Sequence, residues 1–325
     1  MRSIIKFLSV ITCIILFYYT VDSAVEVFDT NWQLPEASTE ELTDKRIILI
    51  TQELDTPFWD QVSAGAKQQA EKDGARLEIW GSYGNNQEDF LKQIEIAIYS
   101  QVDGIIVQGL DTEEFKELTK VKASSYGVPV ITIANDVSMA ESLRRTYVGS
   151  DQVLAGKMIA EQLVEDMGKS GKVALMLDER QEYYQTQRLE GIKEYLSNYQ
   201  DIELLEAETE DTREQVIATT KDLLNRSPDV DAFITLNAKF ADNLVEEIDR
   251  RSNAETYHIY SFDDDPTSLS LLEQGKIDGM IEQSPSKMGI LSVEFMMKWL
   301  NKEVLPLNLD GYFTDIRMVK QVDLK

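Results

Sequence analysis

One pattern restricts the fold of this chain more than any other. From Arg46 onward, short runs of apolar and β-branched residues alternate with longer stretches whose apolar positions recur every three to four residues. The runs cover 47–50, 77–80, 104–107, 128–133, 173–177, 232–236 and 257–260. A strand wetted on one face would alternate apolar with polar, whereas continuous apolar runs suit strands buried on both faces of a helix-covered sheet. Between the runs, Pro57 holds a favoured first helical position and opens a stretch that turns Phe58, Val62, Ala66 and Ala70 inward and stops at Gly74. A second helix is predicted from Asp151 to Met167, with Leu154, Met158, Leu163 and Val164 inward, ending at Gly168. Later ones carry Leu189, Ile192 and Leu196, then Val216, Leu223 and Leu224, then Phe240, Leu244 and Ile248. The β-α-β order implies parallel sheets with right-handed crossovers, an α/β fold.

The succession restarts. Val102-Asp103-Gly104-Ile105-Ile106-Val107 and Val230-Asp231-Ala232-Phe233-Ile234-Thr235 each follow a helix and a Ser-containing turn, and each ends in polar residues, Gln108 and Asn237. In open α/β sheets ligands sit beyond the carboxyl ends of the strands. Those ends hold Thr51 to Trp59, Gln108, Asn135-Asp136, Asn237, Phe262-Asp263 and Gln283, with Arg188 near the start of a later helix. Amide, carboxylate and guanidinium beside aromatic faces suit a neutral polyol, whose hydroxyls both donate and accept and whose C–H face is apolar. Each residue also has a plainer use. Phe58 and Trp59 in a first helical turn are ordinarily core, Asp263 with Asp264 and Asp265 suits a helix N-terminus, Arg188 suits a surface, Asn237 a cap and Gln283 a turn.

Composition removes other classes. With 58 acids against 32 bases the formal charge is −26, a field that repels phosphate backbones, so nucleic acid is set aside. One cysteine and one histidine (His258) exclude a disulfide framework, thiolate clusters and multi-histidine metal sites. No Gly-x-x-x-x-Gly-Lys loop is present, so nucleotide hydrolysis has no support. Neither a metal nor a cofactor is expected.

Residues 1–24 read as a signal peptide or a membrane anchor: Arg2 and Lys6 precede an uncharged run, Phe7 to Val21, and no acid comes before Asp22. Counted from Ile4 the stretch is roughly 27 Å long as a helix, near the ~30 Å of a bilayer core. Cleavage after Ser23 would leave Val21 at −3, and the balance leans to retention. The charge order places the body outside the cytoplasm. Cys13 follows Thr12 and is succeeded by more apolar residues, so it reads as incidental rather than as an acylation site. Seven acids between Asp22 and Lys45 make residues 25–45 an acidic stalk, on which Phe28 and Trp32 offer surfaces for folding back.

Taken in order, the motifs Pro57-Phe58-Trp59 with Gly65-Ala66, Val102-Asp103-Gly104-Ile105-Ile106, Val128-Pro129-Val130-Ile131-Thr132 and Val148-Gly149-Ser150-Asp151 with Gly156 form a recognisable series. It continues with Arg188 before Glu190-Gly191, Asp231-Ala232-Phe233, Asn237, Ser261-Phe262-Asp263 and Gln283. From Arg46 to the C-terminus the chain resembles the type I periplasmic sugar-binding proteins, the ribose- and galactose-binding group that shares its fold with LacI-type repressor cores. The resemblance implies two Rossmann-like lobes joined by a three-strand hinge, with crossings near Ser150, Gln283 and Thr314. Residues 46–149 and 284–313 would form the N-terminal lobe, and 150–283 and 314–325 the C-terminal lobe. It further implies that Phe58, Trp59 and Phe262 hold the ring faces of a monosaccharide and that Arg188, Asn237, Asp263 and Gln283 bond its hydroxyls. Gln108 stands where the family has an asparagine or similar residue. After Ile133 the family commonly has an acid, and here Ala134-Asn135-Asp136 departs from it, leaving Asn135 or Asp136 to serve.

The expected mechanism is binding without turnover by a monomeric body, with Arg188→Ala or Asp263→Ala abolishing binding and sparing the fold. Membrane ABC importer subunits or a membrane sensor kinase would read the closed form, with membrane contact through the N-terminal segment. A repressor core would need a helix-turn-helix where the hydrophobic leader stands. An α/β enzyme would need Asp263 and Asp136 as a carboxylate pair. Pentose, hexose and a furanose-like signal molecule remain open as ligands.

Overall fold

The computed structural model describes residues 45–84, 86–180, 182–251, 257–262 and 266–324, together with Leu16, Phe17, Tyr19 and Val21, which are helical. The rest of the leader, Cys13 and residues 25–44 of the stalk lie outside the described residues. Among those described, no helix is long and apolar enough to cross a membrane. The chain divides into two compact units, Met1–Thr43 and Asp44–Lys325, and everything below concerns the second.

Two six-stranded sheets organise it. The first contains β1 (Arg46–Thr51), β2 (Arg76–Gly81), β3 (Gly104–Gln108), β4 (Val130–Ile133), β5 (Thr146–Gly149) and β11 (Tyr312–Phe313), in the order β11-β5-β4-β3-β1-β2. The second contains β6 (Ser170–Asp178), β7 (Asp201–Thr209), β8 (Ala232–Thr235), β9 (His258–Phe262), β10 (Gly279–Glu282) and β12 (Arg317–Val319), in the order β12-β10-β9-β8-β6-β7. Strand for strand the two orders match, so the restart legible in the sequence is a repeat of topology. All ladders are parallel except β10 with β12. The continuous apolar runs have their reason here. Ile47 and Leu49 enter the core on one face of the first sheet while Ile48 and Ile50 enter the core on the other, all four inaccessible to solvent.

The helices are α1 (Pro57–Asp73), α2 (Gln87–Tyr99), α3 (Gln152–Met167), α4 (Tyr183–Leu196), α5 (Arg213–Arg226), α6 (Lys239–Arg250), α7 (Pro266–Glu273) and α8 (Pro285–Leu300), with short helical pieces between β3 and β5. Thr56 caps α1 through its hydroxyl and Gly74 ends it at φ 68°, a conformation glycine adopts without steric cost. Two helix pairs pack backbone to backbone. A Cβ at Gly65 or Gly289 would collide with a carbonyl of α8 or α1, and one at Gly156 or Gly191 with a carbonyl of α4 or α3. In α3 the buried stripe is Ala155, Ile159, Ala160 and Leu163, and Leu154, expected inward, is exposed because it lies off that stripe. The sequence reading passed over β7, an edge strand with Glu203, Glu206 and Glu208 interrupting its apolar residues.

The chain passes between the sheets three times: from β5 through Ser150 into α3, from β10 through Gln283 into α8, and from β11 through Thr314 into β12. At these passages the Ser150 hydroxyl donates to Gln283 Oε1 at 2.6 Å, joining two of them.

Candidate functional site

A cavity of about 1020 Å³ lies between the carboxyl ends of the two sheets. In the first sheet strand order reverses between β1 and β3, where a crevice opens. There Thr51 Oγ1 and Gln52 N both donate to Gln108 Oε1 at 2.9 Å, which fixes the side-chain amide. Gln108 is 6% exposed and lines the cavity, and its Nε2 has no acceptor among the described residues. In the second sheet the matching crevice lies between β6 and β8. Asn237, just past β8, accepts from Lys239 N at 3.1 Å through Oδ1 and lines the cavity.

Arg188 reaches the cavity from α4 and is 2% exposed. Its Nε donates to Gln152 Oε1 at 2.8 Å and its Nη1 to the Leu236 carbonyl at 3.0 Å. The guanidinium lies 4.2 Å from the Phe262 ring centroid and 4.8 Å from that of Tyr184. Phe262 is itself fully buried and is not among the lining residues, so it supports Arg188 from behind. These contacts make Arg188 part of the core of the second sheet, and its removal costs stability as well as any ligand bond. The expectation that Arg188→Ala spares the fold is revised accordingly.

Phe58 and Trp59 both line the cavity from the first turn of α1, with ring centroids 5.6 Å apart and planes at 78°. Trp59 is 2% exposed and belongs mainly to the core of the first sheet, while Phe58 is half-buried. Of the pair after β4, Asn135 lines the cavity and Asp136 does not. Ala134 takes φ 63°, an uncommon conformation for a residue with a Cβ, and the strained turn delivers Asn135 to the cleft. Asp136 points back into the lobe, where Arg144 Nε and Nη2 donate to its two carboxylate oxygens at 2.6 Å each and Thr132 Oγ1 donates at 2.6 Å. Gln283 lines the cavity while accepting from Ser150. Asp263 lies outside the described residues, as do Asp264 and Asp265.

The charge of the lining was not anticipated. Glu53 and Asp111 come from the first sheet's side, and Asp178, Glu179, Glu182, Glu210, Asp211 and Asp242 from the second's, against the cations Arg180, Arg188 and Lys239. Two side-chain bonds cross the cleft, from Asn135 Nδ2 to Glu182 Oε2 at 3.2 Å and from Lys239 Nζ to Glu53 Oε1 at 3.2 Å. Burial, with Glu53, Asp178 and Asp111 nearby, pushes the Glu182 carboxyl up to about 7, and Lys239 opposes the shift. The signal for this group was present in the sequence: the strand-end rule applied to run 173–177 leads directly to Asp178 and Glu182. Among the described residues no group of three or more His, Cys, Asp or Glu is arranged to hold a metal ion.

A family model described as periplasmic binding protein domain matches residues 47–303. The ribose import binding protein of Bacillus subtilis (strain 168) is 25% identical over 301 residues, 89% of this chain and 91% of that protein. The crystal structure of GanP, a glucose-galactose binding protein from Geobacillus stearothermophilus, superposes with TM-score 0.79 at 28% identity, covering 86% of this chain and 98% of that one. A chain of the XylFII-LytSN complex does so with TM-score 0.73 at 26% identity, covering 86% and 99%. A family match over most of the body and a doubled β-α-β topology with its cavity at the strand ends lead to one statement: this chain belongs to the periplasmic binding protein family.

Proposed function

We propose that this protein is an extracytoplasmic monosaccharide-binding protein whose two lobes close on a sugar-sized polyol and present the closed form to a membrane partner. The observation that carries the reading is the makeup of the cleft. Gln108, Asn135, Phe58 and Trp59 face it from one sheet, and Arg188 and Asn237 from the other. Contacts that exist only when both halves meet bias an open-closed equilibrium toward the closed state. Hydroxyls buried there must nearly all find partners, so selectivity falls on the sugar whose hydroxyls match the fixed amides. In this reading residues 46–149 with 284–313 move against 150–283 with 314–325, and the three passages near Ser150, Gln283 and Thr314 act as the hinge.

The reading is of binding without turnover. The relatives described above are named as binding proteins, and Asp136, half of the carboxylate pair an enzyme would need, is tied to Arg144 inside the fold. Two partners fit the closed form. The Bacillus relative is named for ribose import, which suits importer subunits, whereas the relative in the XylFII-LytSN complex is held by a second protein, as a receptor for a membrane sensor kinase would be. Co-purification from native membranes separates them, through recovery of importer subunits or of a histidine kinase.

Titration calorimetry of the full chain in mild detergent against ribose, xylose, arabinose, allose, glucose and galactose tests the ligand class. One of these is expected to bind saturably, and Arg188→Ala and Asp263→Ala to weaken it tenfold or more, since each charge-assisted bond contributes about 1.5–3 kcal/mol. Wild-type affinity in both variants would show the site to be misassigned.

A further inference from the structure

We propose that the cleft selects a cationic sugar, one bearing a protonated amine, with Glu182 as the counter-charge to its ammonium group. The proposal rests on the sugar-binding reading above and narrows its ligand class. That the cavity is built for a ligand follows independently of its acids. Gln108 lines the cavity at 6% exposure, is held in place through Oε1 by Thr51 Oγ1 and Gln52 N, and has no acceptor for its Nε2 among the described residues.

The lining around that ligand holds eight acids against the three cations Arg180, Arg188 and Lys239. Glu182 faces the cleft with Glu53, Asp111 and Asp178 acting on it, and the opposing cation is Lys239. Lys239 already serves two acids, Glu53 at 3.2 Å and Asp211 at 3.8 Å. Arg188, six residues along α4 from Glu182, is engaged by Gln152, the Leu236 carbonyl and two aromatic faces, and is not among the charges named as acting on Glu182. With a neutral sugar Glu182 must either stay ionised among like charges in a site drained of water or take a proton, and an anionic sugar would add to the repulsion. An ammonium supplies the missing opposite charge. A divalent metal does not fit that role, because the described acids are not grouped to coordinate one. Phe58, Trp59 and Tyr184 provide ring faces in the same cavity, surfaces that attract a cation as well as the apolar side of a sugar.

The carboxyl of Glu182, held near 7 by burial and by its acidic neighbours Glu53, Asp178 and Asp111 against Lys239, gives the proposal a pH signature. Below that value an incoming ammonium must first displace a proton from Glu182, so its advantage over a hydroxyl shrinks as pH falls.

The test is calorimetry of the full chain with matched probes, D-glucose against its 2-, 3- and 6-amino-deoxy derivatives and D-galactose against D-galactosamine, at pH 7 and pH 5. At pH 7 an amino sugar is expected to bind at least about tenfold more tightly than its hydroxyl counterpart, the equivalent of one pKa unit of charge interaction. That ratio is expected to fall at pH 5 and to come within about twofold of unity in the isosteric Glu182→Gln variant. Asp178→Asn, which leaves the Glu182 side chain in place, is expected to reduce the ratio partially and serves if Glu182→Gln melts early. Equal or tighter binding of the hydroxyl member, or an amine preference that survives Glu182→Gln, overturns the inference while leaving the sugar-binding reading intact. Binding of neither member of any pair by a wild-type chain that does bind one of the neutral sugars named above overturns the inference alone, and binding of none of these sugars overturns both.

Discussion

Asp136 provides the sharpest test of how the structure divides positioning from binding. In Asp136→Ala the guanidinium of Arg144 loses both bonds to the carboxylate, 2.6 Å each, and keeps the carbonyls of Val137 at 3.1 Å and Leu309 at 2.7 Å. The pair is almost dry, the two side chains being 5% and 9% exposed. Arginine cannot shed its proton, so the variant must bury an uncompensated cation, a change that typically costs about 3–5 kcal/mol. At roughly 2–4 °C per kcal/mol for a body of this size, the melting temperature should fall by roughly 6–20 °C. Removing the other partner should be milder. Burial already pushes the Asp136 carboxyl upward despite Arg144, so in Arg144→Met the acid can neutralise itself by taking a proton. The double variant Asp136→Ala, Arg144→Met should recover part of the loss, because apolar replacement of a buried pair is often near neutral.

Differential scanning calorimetry reads the melting temperature, and titration at low temperature reads whether the folded variant still binds ligand. The expected pattern is a large fall in stability with binding weakened only through the displaced Asn135 next door. An Asp136→Ala protein that melts like wild type yet has lost its ligand would refute the reasoning. It would restore Asp136 to the ligand-bonding role that the strand-end pattern offered it.

Two further outcomes follow from the packing and the charge. Gly156→Ala or Gly191→Ala places a methyl against the Arg188 or Val153 carbonyl and must push α3 and α4 apart, so denaturant unfolding should show a loss of about 1–3 kcal/mol; ligand affinity should drop with it, because α4 carries Arg188. The folded protein binds a proton at Glu182 up to about 7, above the ordinary value of 4.5. It therefore holds more protons than the unfolded chain across that window, and this group's contribution to stability declines as pH rises through it, by at most about 3 kcal/mol. Melting curves from pH 4.5 to 8 should show that decline in the wild type and a flatter profile in Glu182→Gln.

The fold was legible because its cause is repeated along the chain. Runs such as 47–50 and 173–177 are apolar on both faces, and that requirement of a doubly covered parallel sheet leaves few other readings. Strand β7 was not legible, since an edge strand wet along one side needs no such run. In the cleft, Gln108, Asn135, Arg188 and Asn237 stood out by position at strand or helix ends. The fate of Asp136 was hidden because the acid that the pattern marked is neutralised by Arg144, eight residues on, after a turn that only Ala134's backbone reveals. The carboxylates from Asp178 to Glu182 were marked by position, at the end of run 173–177, but neither they nor Glu210 and Asp211 were marked by composition. In a chain of charge −26 an acidic loop resembles any other solvated loop until a second lobe covers it.

That covering bears on what closure means. The two sheets share a strand order but not a chemistry: the first contributes amides and rings with only Glu53 and Asp111, and the second contributes six of the eight acids. In the proposed closing motion the acids would approach Glu53 and Asp111 in a medium that screens them poorly, so the electrostatic part of closing an empty cleft would be unfavourable. The ion pair of Lys239 with Glu53, contributing about 0.2–1 kcal/mol, and the part-buried hydrogen bond from Asn135 to the Glu182 carboxylate offset part of it. The remainder must come from what is bound. A ligand that adds both hydrogen bonds and positive charge therefore shifts the equilibrium further than one that adds hydrogen bonds alone, and the closed form becomes a report on the ligand's charge as well as on its shape.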